Sequence, residues 1–267
     1  VNAIVDALRI TPVPYSVRRP QRMFERHVTA YRRQWIIIFS GFFEPLFYLL
    51  SMRAGLGDLV GTVSVGGKDV PYAVFVAPAL MASSAMNGAI FDSTGNVFGR
   101  LKQMRIYDAV LATPMSPGDV AVGEIGWALA RGQLYAISFL VVMWAMDLTG
   151  SWWSLMALPA CALIGLCFAS LGFVFTTYMR SWADLEIVTT ITMPLFLFSA
   201  TFFPVSAYGQ WAWVVQLSPL YHGVALVRGA NAGVFTWGMV GHVLVLAVIS
   251  LVALRVAARR IDLLLRP

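Results

Sequence analysis

Six apolar runs, each roughly long enough to cross a bilayer as a helix, alternate with short polar connections along this chain. They lie at about 35–52, 72–91, 120–146, 152–178, 185–203 and 235–256. The longest polar interruption between strongly apolar runs, 98–124, has a pattern of its own. From Arg100 to Leu111 the apolar residues Leu101, Met104, Tyr107 and Leu111 recur every three or four positions, while Arg100, Lys102, Gln103, Arg105 and Asp108 take the other side. This spacing predicts a short amphipathic helix. Thr113-Pro114 ends it, because a residue before proline is pushed out of the helical region. Ser116-Pro117-Gly118-Asp119 then predicts a new helix start, with Ser116 as cap, Pro117 in the first position and Asp119 as the returning carboxylate of a capping box.

The flanking segments divide the chain into an arm (1–34), a transmembrane domain (35–258) and a tail (259–267). In the arm, Pro12, Pro14 and Pro20 disfavour a helix before Gln21, and Gln21 to Trp35 predicts a basic helix lying on anionic lipid headgroups. Arg53 to Val70 reads as a Gly-rich loop. The second run is rich in Ala, Ser and Gly, which lets helices approach closely. Beyond Pro204 the chain, through Gly233, is aromatic and broken by Gly209, Pro219 and Gly223. Neither half is long enough to span, so two short helices re-entering the interface are expected.

Composition fixes the class. With 59% hydrophobic and 12% charged residues and a mean hydropathy of +0.74, the chain reads as an all-α polytopic membrane protein. The net charge of +6 does not point to nucleic acid, because Lys and Arg cluster in the arm, in 98–124, at Arg180 and in the tail. By the positive-inside rule those segments, and both termini, are expected in the cytoplasm. No secretory leader pattern is visible. Cys161 and Cys167 fall within one apolar run and read as packing residues.

Candidate chemistry is sparse. The glycines around Lys68 have the wrong spacing for a phosphate loop, and Asp69 stands where Ser or Thr would meet magnesium. His27, His222 and His242 are scattered over three segments, which argues against a metal centre. No nucleophile elbow or carboxylate pair suggests hydrolysis. Glu44, beside Pro45 within the first run, either meets substrate or hydrogen-bonds backbone freed at a kink, the structural reading being favoured. Glu124 and Arg131, seven residues apart, are expected to pair structurally, with contact to the 98–124 segment as the alternative. Asp184 and Glu186 suit a helix N-terminus. Trp152, Trp153, Trp211, Trp213 and Trp237 suit an interfacial belt.

Taken together, Glu44-Pro45, RLKQMRIYDAVLATPMSPGDVAVGE, MPLFLFSATFFPV and SPLYHGVALVRG resemble ABC-2 type permeases, most nearly the nodulation-factor and daunorubicin-resistance exporter branch. The resemblance implies a six-span subunit of a bacterial inner-membrane exporter that pairs with a second permease subunit, identical or different. Two separate cytosolic ATPase subunits would bind ATP and magnesium, and this chain would hold no cofactor and catalyse nothing. Arg100, Leu101, Met104, Arg105, Tyr107, Asp108, Leu111, Thr113 and Pro114 would then form the ATPase-coupling helix. Spans two and five would flank the pathway, with Glu44, Asn87, Phe196, Phe198, Phe202 and Phe203 as pathway or gate candidates. Pro204, Trp211, Pro219, Tyr221, His222 and Arg228 would belong to an extracellular re-entrant hairpin. No large loop offers a platform for a substrate-binding protein, so export of a drug, lipid or lipid-linked glycan is implied, with membrane lipid as a further partner. An ion-coupled multidrug transporter would need an ionisable relay and paired broken helices. A non-transporting scaffold would need no polar residues inside its spans.

Overall fold

The computed structural model describes residues 18–31, 43, 46–65 and 68–265. Helix α1 (Arg18–Tyr31) precedes a helical stretch at 46–60. Strands β1 (Thr62–Val65) and β2 (Lys68–Pro71) pair antiparallel, Thr62 opposite Pro71 and Ser64 opposite Asp69. The long helices are α2 (Tyr72–Gln103), α4 (Pro117–Ala145), α5 (Trp152–Tyr178) and α9 (Trp237–Leu265). Between them lie α3 (Ile106–Leu111), α6 (Leu185–Leu197), α7 (Ala212–Gln216) and α8 (Pro219–Ala232).

Helix α2 is the centre of the molecule, packed against α4, α5 and α8. Apolar side chains gain little by leaving lipid for one another, so the helices are held by close contact, which α2 achieves with small residues. Ala77, Ala79, Ala82, Ser83, Ser84, Ala85, Gly88 and Ala89 are all buried. A Cβ on Gly88 would sit 2.5 Å from the Tyr135 ring, and one on Gly132 would sit 3.1 Å from the Ala85 carbonyl oxygen. Around this centre, α9 turns Val240, Leu244, Val248 and Leu251 outward, as a lipid-facing helix does.

Among the described residues four helices are long and apolar enough to cross a membrane: α2, α4, α5 and the Trp237–Leu264 part of α9. Most of the expected span at 35–52, including Glu44, lies outside the described residues. The run expected to cross at 185–203 is helical only over α6, 13 residues or about 20 Å of rise, and then turns at Ala200 with a φ of 57°. No residue of α6 is buried. The Gly-rich loop expected at 53–70 contains a β-hairpin, because Thr62–Val65 and Lys68–Pro71 both carry β-branched residues that pair. Helix α1 starts at Arg18 rather than Gln21, since Pro20 falls in its first turn, where no intrahelical N–H is needed.

The two ends of the bundle differ. One carries α1, the α2–α4 connection and the start of α6, and is rich in arginine. The other carries the β-hairpin, α7 and α8, and exposes Trp152, Trp153, Trp211, Trp213 and Trp237.

Candidate functional site

At the arginine-rich end α2 does not stop where its apolar run stops. It continues through Asp92–Asn96 and Gly99–Gln103 in wide turns whose hydrogen bonds reach one residue further than in an α-helix. Such turns are rare and concentrate at functional sites. Thr94 Oγ1 donates to the Ile90 carbonyl at 2.6 Å, holding the first of them. The Met104 N–H closes on Gly99 at 3.0 Å, and Arg105 takes a left-handed φ of 46°. That kink divides the amphipathic helix expected from Arg100 to Leu111. Its first turn is the end of α2, and its second is α3. Periodicity missed the break because a wide turn followed by a kink still returns apolar side chains to similar faces.

The start of α4 forms as its sequence predicts. The Asp119 N–H donates to Ser116 Oγ at 3.2 Å, the Ser116 N–H donates to Asp119 Oδ2 at 2.9 Å, and Pro117 occupies the first turn.

Two buried charge pairs hold this end together. Arg100 of α2 donates to Glu124 of α4, both buried. His27 of α1 places Nε2 3.2 Å from the other Glu124 oxygen. Tyr107 of α3 is buried beside the same pair, and burial pushes its phenol well above its ordinary 10.0, so the ring stays a neutral proton donor. Glu124 therefore ties together α1, α2 and α4, with the Tyr107 ring of α3 buried beside them. About two turns deeper, Arg131 of α4 donates to Asp92 of α2 at 3.0 Å and to the Tyr135 hydroxyl at 3.0 Å, and its guanidinium lies 5.3 Å from the centre of the Tyr31 ring. Asn96 donates to Asp92 and, at 3.3 Å, to the Tyr31 hydroxyl. The expected Glu124–Arg131 pair is absent among the described residues: each group reaches across to α2 instead of along α4. Helix α1 is seated by apolar contacts as well as by charge. Trp127 packs between Phe24, His27 and Tyr31 at ring distances of 5.6, 5.4 and 5.1 Å, and Met23 closes on Gly123.

With Arg100 and Tyr107 turned inward and Leu101 and Leu111 packed against the core, the connection exposes Met104, Arg105, Asp108, Thr113 and Pro114. Elsewhere Asn87 and Phe91 are exposed one turn apart on a face of α2 that the described residues leave open. Phe196 and Phe202 meet edge to face at 5.2 Å, while Phe198 and Phe203 are exposed. Asp184, at the head of α6, accepts from the Arg180 and Ser181 N–H groups at 2.6 and 3.2 Å, which hold its carboxyl below the ordinary 3.8.

Between Pro204 and Gly233 lie two short helices, α7 and α8, divided just before Pro219; Gly223, expected as a breaker, instead sits buried within α8, where its missing side chain makes room for Ile164. Trp211 is exposed, and Pro219 opens α8 behind Ser218. His222 and His242, read as scattered in sequence, meet with Nδ1 atoms 2.7 Å apart beside Tyr221. No group of three metal-ligating side chains occurs among the described residues. Arg228 is largely buried. Its Nε donates to the Phe75 carbonyl at 3.1 Å and a terminal nitrogen to Thr201 at 2.9 Å. Burial pulls the guanidinium from 12.5 down to about 9, so it remains a cation at neutral pH.

The residues that sequence reasoning missed are His27 and Asp92. A signal was present: Asp92 follows an apolar run directly, and two arginines close to or within spans require buried counter-charges.

Comparison with known proteins agrees with this architecture. Residues 21–231 match the ABC-2 type transporter family. The chain is similar to Nodulation protein J of Rhizobium leguminosarum bv. trifolii, 37% identical over 71% of this chain and 72% of the relative. It is 32% identical to Nodulation protein J of Rhizobium leguminosarum bv. viciae over 79% of this chain and 81% of the relative. With Nodulation protein J of Rhizobium meliloti (strain 1021), the identity is 33% over 71% and 72%. The chain belongs to the ABC-2 type transporter family, as a membrane component of the Nodulation protein J branch.

Proposed function

We propose that the chain is the permease subunit of an ATP-driven exporter in the bacterial inner membrane, with its arginine-rich end in the cytoplasm. A separate ATPase subunit, holding ATP and magnesium, docks on the exposed residues around α3. The chain spans the membrane six times, and a second permease subunit, of the same or a different sequence, covers α6 and the face of α2 that the described residues leave open. The cargo is hydrophobic or amphipathic, a drug, lipid or lipid-linked glycan, and passes between α2 and α6 past Asn87, Phe196, Phe198, Phe202 and Phe203. On this reading α7 and α8 form the extracellular hairpin.

The observation that carries the reading is the wiring of α3. Its outer surface offers Arg105 and Asp108 to a partner, while its inner surface, through Tyr107, meets the buried Arg100–Glu124–His27 cluster. A push delivered to α3 is therefore passed to α1, α2 and α4 together. A tightly packed polar cluster transmits displacement because it tolerates few alternative arrangements. Closure of the ATPases on ATP would move α3 as a lever, and the long helices would reopen outward, as in a two-state switch.

The test is a single reporter thiol. Cys161 and Cys167 are buried, so Arg105→Cys provides an accessible one. It should crosslink to an ATP-binding subunit that copurifies, and Arg105→Glu should abolish substrate-stimulated ATP hydrolysis without changing membrane insertion. Full stimulation in Arg105→Glu, or purification without any ATPase, would sink the assignment.

A further inference from the structure

At the tryptophan-rich end, the β-hairpin, the first turn of α2, the turn after α6 and helix α8 enclose a cavity of about 310 Å³. Its walls include Ser64, Phe75, Ala200, Ser206 and Tyr221, and Arg228 reaches it from α8. The volume is near the lower end for small-molecule sites, which begin at about 300 Å³.

Arg228 is the distinctive group. Its guanidinium stacks on the Phe75 ring at 3.7 Å and is fixed in plane by donation to the Phe75 and Thr201 carbonyl oxygens. A guanidinium has about five N–H donors in a rigid fork, so those two bonds leave three. Unlike Arg100 and Arg131, it has no carboxylate within salt-bridge distance among the described residues. Backbone carbonyls orient the cation without neutralising it, and an unneutralised cation held out of water favours an anionic partner. A positively charged, preoriented fork at a half-open pocket whose walls include Ser64, Ser206 and Tyr221 suits a tetrahedral or planar oxyanion.

We propose that this cavity is a binding site for one anionic oxygen group, a phosphate or carboxylate, held by Arg228. The group can belong to a phospholipid headgroup or to a small soluble anion, and the chemistry recognised is the same. The inference is independent of the exporter reading, since it rests on a charge and a cavity rather than on transport.

The experiment uses the full chain in detergent with phosphatidylglycerol and phosphatidylcholine supplied in equal amounts, and bound lipid counted by native mass spectrometry. Two variants probe the site: Arg228→Gln removes the cation, and Ala225→Asp supplies an internal carboxylate from the cavity wall while keeping Arg228. Wild type should retain phosphatidylglycerol about tenfold over phosphatidylcholine, as a loss of one charge-assisted interaction implies, and both variants should fall towards parity. If lipid shows no preference, inorganic phosphate should instead raise the unfolding midpoint of wild type and neither variant. Displacement of lipid by millimolar phosphate would identify the oxyanion alone as the recognised part, whereas retention would assign the lipid headgroup. Should Arg228→Gln fail to fold, Ala225→Asp decides. Identical lipid retention and identical phosphate response in wild type and folded Ala225→Asp would overturn the proposal.

Discussion

The two ends of this bundle treat buried arginine in opposite ways. At one, Arg100 and Arg131 each meet a buried carboxylate, Glu124 and Asp92, and the carboxylates are themselves shared with His27 and Asn96. At the other, Arg228 meets carbonyl oxygens and a ring face, with no carboxylate partner among the described residues. A paired charge has its favourable interactions inside the chain and acts as a fastener. A charge that is oriented but unpaired keeps most of its field available to something else. The difference predicts that the first end is sensitive to losing either partner, and that the second tolerates loss of its arginine in stability while changing what it binds.

The largest effect should follow removal of the shared carboxylate. Glu124→Gln leaves Arg100 buried without a counter-charge, which costs about 3–5 kcal/mol in a buried pair, and should lower the unfolding midpoint and release α1. Adding Arg100→Met should recover most of the loss. A double mutant as unstable as the single one would mean that Glu124 acts through packing and not through charge.

Next in size is the seat of α1. Gly123→Val would drive a side chain into Met23, whose Cβ lies 2.6 Å from the position a Cβ would take. Overpacking of this kind costs about 1–3 kcal/mol, and should expose Trp127 to a water-soluble quencher. Unchanged quenching would show that α1 is held by Glu124 alone.

Ser116→Ala should cost about 1 kcal/mol through the lost cap, seen as faster amide exchange at 118–120, Asp119 above all, with the bundle intact. Arg228→Gln should be smaller still in stability, because no ion pair is broken among the described residues, and an effect as large as that of Glu124→Gln would erase the contrast between the ends.

The smallest effect is a pH dependence. Asp184 has a folded value held below 3.8 by two N–H groups. Its contribution is complete above 3.8 and is lost as pH falls through the lower folded value. Exchange at the Arg180 and Ser181 amides should therefore accelerate only in that acid window, and acceleration beginning near neutrality would assign it to another group.

What could be read from sequence was local. The capping box at Ser116–Asp119 depends on four consecutive residues, and the close packing of α2 depends on its own small side chains, so both were legible. The two short helices after Pro204 followed from breakers within the segment. The charge pairs were not legible, because Arg100 and Glu124 lie 24 positions apart and Arg131 and Asp92 lie 39 apart. Spacing along α4 offered Arg131 as Glu124's nearest candidate, while α2 supplied better partners from across the helix interface. The split of the Arg100–Leu111 helix was also hidden, since hydrophobic periodicity records faces and not the continuity of hydrogen bonds. The His222–His242 contact required the hairpin to fold back on α9.

The wide turns of α2 bear on insertions and deletions. Each wide turn holds one more residue than an α-helical turn, so deleting Gly95 would let ordinary α-helical hydrogen bonding resume and would leave the segment helical. Because the extra residue is absorbed within one turn, side chains beyond the deletion would keep nearly the same faces, with Arg100 still turned towards Glu124. The same one-residue loss in the regular part of α2, at Ala85 for example, would rotate everything beyond it by about 100°, so the wide turns are where this helix best tolerates a change of length.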